Sequence, residues 1–111
     1  MSRLGDGVAV VSPAGRIDSN TSADLERSIF QRLDAGEARL VVDLAAVEYI
    51  SSAGLRILLK AANAARNKGG SLVLCAMGPS VREVFGLAGL VPIFAIEDSR
   101  DRALARLAGG S

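Results

Sequence analysis

EYISSAGLRILLKAANAARNK, residues 48 to 68, decides how this chain is read. The strand-like stretch Val47-Glu48-Tyr49-Ile50 gives way to Ser51 and Ser52, and apolar residues then recur at Leu55, Leu58, Leu59, Ala62 and Ala65. That spacing is helical, with Arg56, Lys60, Asn63, Arg66 and Asn67 left for the opposite face. A strand therefore runs straight into a helix, and two hydroxyls stand at the junction. Serine is favoured there because its oxygen accepts from the N–H groups that the first helical turn leaves unpaired. Gly69-Gly70 stops the helix and Ser71 to Cys75 reads as a buried strand. Strand, helix and strand in that order imply a parallel pair with a right-handed crossover.

Outward from this unit the same signals recur. Arg39 to Leu44 is an almost continuous apolar run, as expected of a central strand covered on both faces. Before it, Leu25, Ile29 and Leu33 mark a helix that starts near Ser22 and ends at Gly36, and Thr21 and Asp24 have the spacing of a capping box in its Asp form. Val8 to Val11 and Gly15 to Ile17, separated by Ser12-Pro13-Ala14-Gly15, read as a hairpin. Downstream, Pro79 opens a helix with the stripe Val81, Val84, Phe85 and Ala88. Leu90 to Ile96 is expected as the last strand, with Pro92 at its start because proline cannot donate to a ladder. Asp98 or Ser99 then caps a helix through Leu107 with Ala103, Leu104 and Leu107 inward. Gly5-Asp6-Gly7 reads as a turn, and Gly109-Gly110-Ser111 as a frayed tail. The expectation is one α/β domain over residues 1–111, a mixed central sheet of about five strands with about four helices.

Composition narrows the chemistry. The 111 residues are 50% hydrophobic and 23% charged, which suits one ordered domain with its own core. Thirteen basic against twelve acidic residues leave a net charge of +1, too little for a general field towards nucleic acid. The aromatics are one tyrosine and three phenylalanines, too few for a base-stacking platform, so Arg56, Lys60, Arg66 and Lys68 read as a solvated helix face. There is no histidine, which removes the commonest general base and metal ligand. Asp18 and Asp43 do not read as an acid/base pair, and Glu97, Asp98 and Asp101 suit a helix start by their charge alone. No catalytic residue, metal or cofactor is expected. The lone Cys75 lies in an apolar run and reads as a core residue in a reducing compartment. No stretch approaches the ~20 apolar residues of a membrane span, so a cytoplasmic protein without membrane insertion is expected.

GRIDSNTSADL at Gly15–Leu25, VVDLAAVEYISSAGLRILL at Val41–Leu59, GGSLVLCAMGPSVREVFGLAGL at Gly69–Leu90 and IFAIEDSRDRAL at Ile93–Leu104 together resemble the STAS domains. The resemblance is to the bacterial anti-sigma factor antagonists of the sporulation and general-stress type. It implies a STAS-like fold and a regulatory protein rather than an enzyme. In that family the junction commonly reads Asp-Ser-Ser/Thr-Gly-Leu, and the serine after the aspartate is phosphorylated by a partner anti-sigma factor that is a serine kinase. The unmodified antagonist binds that partner, phosphorylation breaks the complex, and a PP2C-type phosphatase restores it. The phosphoacceptor position falls on Ser52, followed by Gly54 and Leu55. The implied partner surface takes in Asp18, Tyr49, Ser51, Ser52, Gly54, Leu55 and Arg56, on a protein expected to be a monomer. The chain departs from the family at Ser51, where the aspartate stands, at Ala53, where a second Ser/Thr stands, and at Arg56, where a second glycine is frequent. Arg56 follows Ser52 by four residues, a spacing at which a guanidinium can pair with a phosphate. The same fold also serves, unphosphorylated, as an accessory subunit of membrane transporters or signalling complexes, and that is the alternative reading.

Overall fold

A run of valine and leucine with no polar alternation is stable only where both faces of a sheet are covered, and β3, Arg39–Asp43, is so placed. In the computed structural model, which describes residues 8–109, it lies between β1, Val8–Val11, and β5, Ser71–Cys75; β6, Ala95–Glu97, completes the order β1-β3-β5-β6. The registers pair Val10 with Val41 and Val41 with Val73. Leu40 and Val42 face one core, Val41 the other, and all three have no exposed surface.

Three helices cover one face: α1, Ser22–Asp34; α2, Ser52–Asn67; and α3, Pro79–Leu87. On the other face α4, Arg100–Gly109, lays Ala103 and Leu107 against Val8, Val41, Val73 and Cys75. Two short strands, β2 at Gly15–Ile17 and β4 at Val47–Ile50, leave the main sheet and pair with each other. The expected α/β class and four helices are present, and every ladder among the described residues is parallel. Gly5-Asp6-Gly7 and residues 110 and 111 lie outside the described residues.

The hairpin expected from β1 and β2 does not form. Ser12 to Gly15 bends the chain, with Gly15 at φ +77° and its N–H donating to Ala46 O at 2.9 Å, so β2 is delivered to β4 instead. Turn residues specify a bend; they do not specify the strand's partner. The last strand is also shorter than expected. Ile93 and Phe94 donate to Leu90 O at 3.0 and 3.2 Å, so Leu90 to Phe94 is a turn around Pro92, and pairing begins at Ala95. Ala88 is exposed rather than part of the α3 stripe, because α3 ends at Leu87. Gly70 is required by packing: a Cβ there would stand 2.1 Å from the backbone oxygen of Ala38, where α2 hands over to β5.

Candidate functional site

The junction at residue 51 is built by two strands and a turn. β2 and β4 run parallel, with Ile17 level with Ile50, and the ladder continues one step further as Ser51 N–H donates to Ile17 O at 2.8 Å. Asp18 is thereby held beside the start of α2. Ser51 has extended backbone angles, φ −90° and ψ 172°, and its Oγ accepts from Gly54 N at 3.3 Å. It is the N-cap of α2. Ser52 is the first helical residue and is exposed, and its hydroxyl has no hydrogen bond among the described residues.

Gly54 explains how closely α2 seats. An added Cβ would lie 2.7 Å from Ile17 Cγ2 and 2.8 Å from Ile50 Cγ1, both buried side chains. Glycine lets the helix start rest on the β2–β4 floor, and Leu55, Leu58, Ala61 and Ala65 continue the buried stripe. Leu59 and Ala62 are only partly buried. Gly54 and Leu55 therefore support the junction from below. Tyr49, Ser52 and Arg56 are exposed, while Ser51 and Asp18 are half-buried. Arg56 has no ion pair among the described residues, whereas Lys60, one turn on, is held by Glu26 of α1 at 2.6 Å.

Asp18 organises the chain before α1. Its Oδ1 accepts from Asn20 N at 2.9 Å and Thr21 N at 3.1 Å, and these bonds, aided by the Thr21 hydroxyl and the charge of Arg16, hold its carboxyl below the ordinary value of 3.8. The expected capping box at Thr21 and Asp24 is absent. Thr21 has helical backbone angles and makes no side-chain cap bond, because its hydroxyl donates to Arg16 O at 2.8 Å and accepts from Asp18 N at 2.9 Å. Thr21 and Arg16 are thus parts of the site that the helical pattern did not single out. Arg16 lies level with Tyr49 in the ladder, its guanidinium carbon 4.6 Å from the centre of the ring. Alternation along Gly15-Arg16-Ile17, with Ile17 inward, is the signal in the sequence that turns Arg16 outward.

The remaining reactive groups are committed elsewhere. Asp43 accepts from Arg100 Nε and Ala45 N, at 2.8 and 2.9 Å, which fixes the end of β3. Cys75 is buried, and burial, with the charge of Asp43 adding and that of Arg100 opposing, pushes its thiol up to about 11. A thiol so held is a poor nucleophile. A hollow of about 660 Å³ between α1 and the β1–β2 segment is lined by Arg16, Ile17 and Thr21 but not by Ser52. Among the described residues no group of three His, Cys, Asp or Glu is placed to hold a metal ion, and no helix is long and apolar enough to cross a membrane. The site is a surface on which the Ser52 hydroxyl, unbonded among the described residues, stands at a helix start, a place where a covalently attached anion is favoured by the helix dipole.

Comparison with known proteins gives a consistent result. The family model described as STAS domain matches residues 3–103. A Bordetella bronchiseptica protein, BtrV, named as a candidate anti-sigma factor antagonist, is 42% identical over 100 residues, covering 90% of this chain and 86% of its own. The anti-sigma-F factor antagonist RsfB of Mycobacterium tuberculosis is 37% identical over 108 residues, covering 95% of this chain and 85% of its own. The crystal structure of an anti-sigma factor antagonist from Mycobacterium paratuberculosis superposes with a TM-score of 0.83 at 36% identity, over 92% of this chain and 86% of that one.

Proposed function

The chain belongs to the STAS domain family, and from that membership we propose that it is an anti-sigma factor antagonist acting by partner switching in the cytoplasm. In this reading it binds a serine-kinase anti-sigma factor while Ser52 is unmodified and is released when Ser52 is phosphorylated. A PP2C-type phosphatase resets it. It carries out no catalysis of its own.

The observation that carries the reading is the division of labour at the start of α2. Ser51 does the capping, so Ser52 is left exposed with its hydroxyl unengaged among the described residues. A kinase needs such an accessible hydroxyl. A phosphate there adds roughly −1.5 to −2 charges at neutral pH beside the positive end of the helix dipole. Local folding is stabilised by about 0.3–1 kcal/mol rather than disrupted. The effect falls on the docked partner, whose groups against Ser52 meet a dianion that costs desolvation and repels acids. The absence of a carboxylate at Ser51 and Arg56 four residues on, which has no ion pair among the described residues, both suit a phosphate.

The test is incubation of the protein with a serine-kinase anti-sigma factor, Mg²⁺ and ATP, read by intact mass, with Ser52→Ala as control. One phosphate is expected on the wild type and none on Ser52→Ala. Binding of the same factor by Ser52→Asp as tight as by the wild type would rule out the switch.

A further inference from the structure

The outer face of the β2–β4 ribbon carries a feature that the phosphorylation switch does not use. The ladder shifts register between Gly15 and Arg16: Gly15 lies level with Val47, but Arg16 lies level with Tyr49. In an unshifted ladder Glu48 would stand opposite Arg16, and the two would make an ordinary cross-strand ion pair. The shift leaves Glu48 without an opposite number and brings the tyrosine ring under the guanidinium, 4.6 Å from centroid to carbon. Bulges of this kind re-aim side chains. Here the result is an arginine with an aromatic platform in place of a carboxylate.

Arg16 and Tyr49 are both exposed, and Tyr49 is one of few large apolar side chains exposed among the described residues. Arg16 makes no ion pair among the described residues. Asp18 feels its charge, but Oδ1 of Asp18 is taken by Asn20 and Thr21. With its carbon over the ring, the guanidinium makes no side-chain hydrogen bond among the described residues, and its N–H groups can donate to a carboxylate in two parallel bonds. The pair is continuous with the Ser51–Ser52 junction through Ile50. Tyrosine and arginine are the residue types that carry most binding energy at protein interfaces, and rigid aromatics do so at low entropic cost.

We infer that Arg16 and Tyr49 form the anchoring ledge of the partner surface, and that the ledge takes an aspartate or glutamate side chain of the anti-sigma factor. This rests on the proposed function, since it names the chemistry of that partner at the same surface. The charge of the ledge fits an acidic contact: among the described residues its guanidinium makes no ion pair, Asp18 acting on it only through its charge, and Arg56 on the neighbouring helix face makes none either.

The test is calorimetric titration of the full chain with each purified serine-kinase anti-sigma factor of the source genome in turn. Arg16→Ala and Tyr49→Ala are each expected to weaken binding by about ten- to a hundredfold, and the double variant by little more than either, as for two residues acting as one unit. Arg16→Lys keeps the charge but loses the flat fork, and is expected to bind more weakly than the wild type. Arg16→Glu is expected to bind weakest, with recovery when one acidic residue of the factor is changed to arginine. Melting temperatures within a few degrees of the wild type separate this from loss of folding. Wild-type binding retained within about twofold by Arg16→Ala and Tyr49→Ala overturns the ledge and leaves the proposed function standing. Failure of every factor to bind the wild type overturns the proposed function and the ledge with it.

Discussion

The starts of α1 and α2 are made from similar residues and end in different states. Asp18-Ser19-Asn20-Thr21 precedes α1, and Ser51-Ser52 opens α2. Before α1 the Asp18 and Thr21 side chains are consumed: Asp18 Oδ1 closes on Asn20 and Thr21, and the Thr21 hydroxyl is turned back to Arg16 and Asp18. At α2, Ser51 alone caps, and the next hydroxyl is left over. A hydroxyl near a helix start is therefore not in itself a regulatory feature. What distinguishes Ser52 is that its neighbour has taken the structural work, on a floor of Ile17 and Ile50 that sets the helix at a fixed height.

The strongest way to break the difference is to raise that floor. Gly54→Val places branched carbons into Ile17 and Ile50, which are 3% and 1% exposed and have nowhere to move. The expected loss is about 3 kcal/mol, the upper part of the range for overpacking, read as a fall in the midpoint of urea unfolding. Thr21→Val keeps shape but removes the hydroxyl that ties Arg16 to Asp18. About 1–2 kcal/mol is expected to be lost, and the start of α1 should exchange amide hydrogens faster.

The turn before α1 also carries an acid dependence that the α2 start lacks. The carboxyl of Asp18 is held below 3.8 by the N–H groups of Asn20 and Thr21. Its contribution is therefore present above the unfolded value and is lost as pH falls through the folded one. Unfolding followed from about pH 5 to about pH 2 should show an acid decline that Asp18→Asn makes shallower. Removing the cap by Ser51→Ala is expected to cost about 1 kcal/mol by the same urea measurement. Ser52→Ala should change stability by less than about 0.5 kcal/mol, since the hydroxyl is exposed and unbonded among the described residues. A loss from Ser52→Ala as large as that from Ser51→Ala would show that both serines cap, and would remove the contrast between the two helix starts.

Much of this was legible without coordinates. The period of Leu25, Ile29 and Leu33 and of Leu55, Leu58 and Ala65 is repeated in the buried residues of α1 and α2. The apolar run of β3 is central, and a serine of the Ser51-Ser52 pair caps α2. These are short-range matters, governed by the pitch of the helix, the pleat of the strand and hydrogen bonds spanning three or four residues. What was misread involved a choice between near-equal local options. Thr21 had the spacing of a capping box, but its hydroxyl found Arg16 O instead. Leu90 to Phe94 had strand-like composition, yet Pro92 and the bonds to Leu90 O made it a turn.

By itself the sequence determined the strand-to-helix junction, the helical faces and the central strand, because each follows from residues within a turn or a strand of one another, whereas Ser52 is singled out by the resemblance to the STAS domains. Only the tertiary structure decided that β2 leaves β1 for β4, that the ladder shifts so that Arg16 meets Tyr49 rather than Glu48, and that Gly54 must be bare to let α2 down onto Ile17 and Ile50. The reason is the range of the forces. Strand partner and register are settled by which pairing buries the most apolar surface at once, and Ile17, Ile50 and Gly54 come together only when segments more than thirty residues apart have packed.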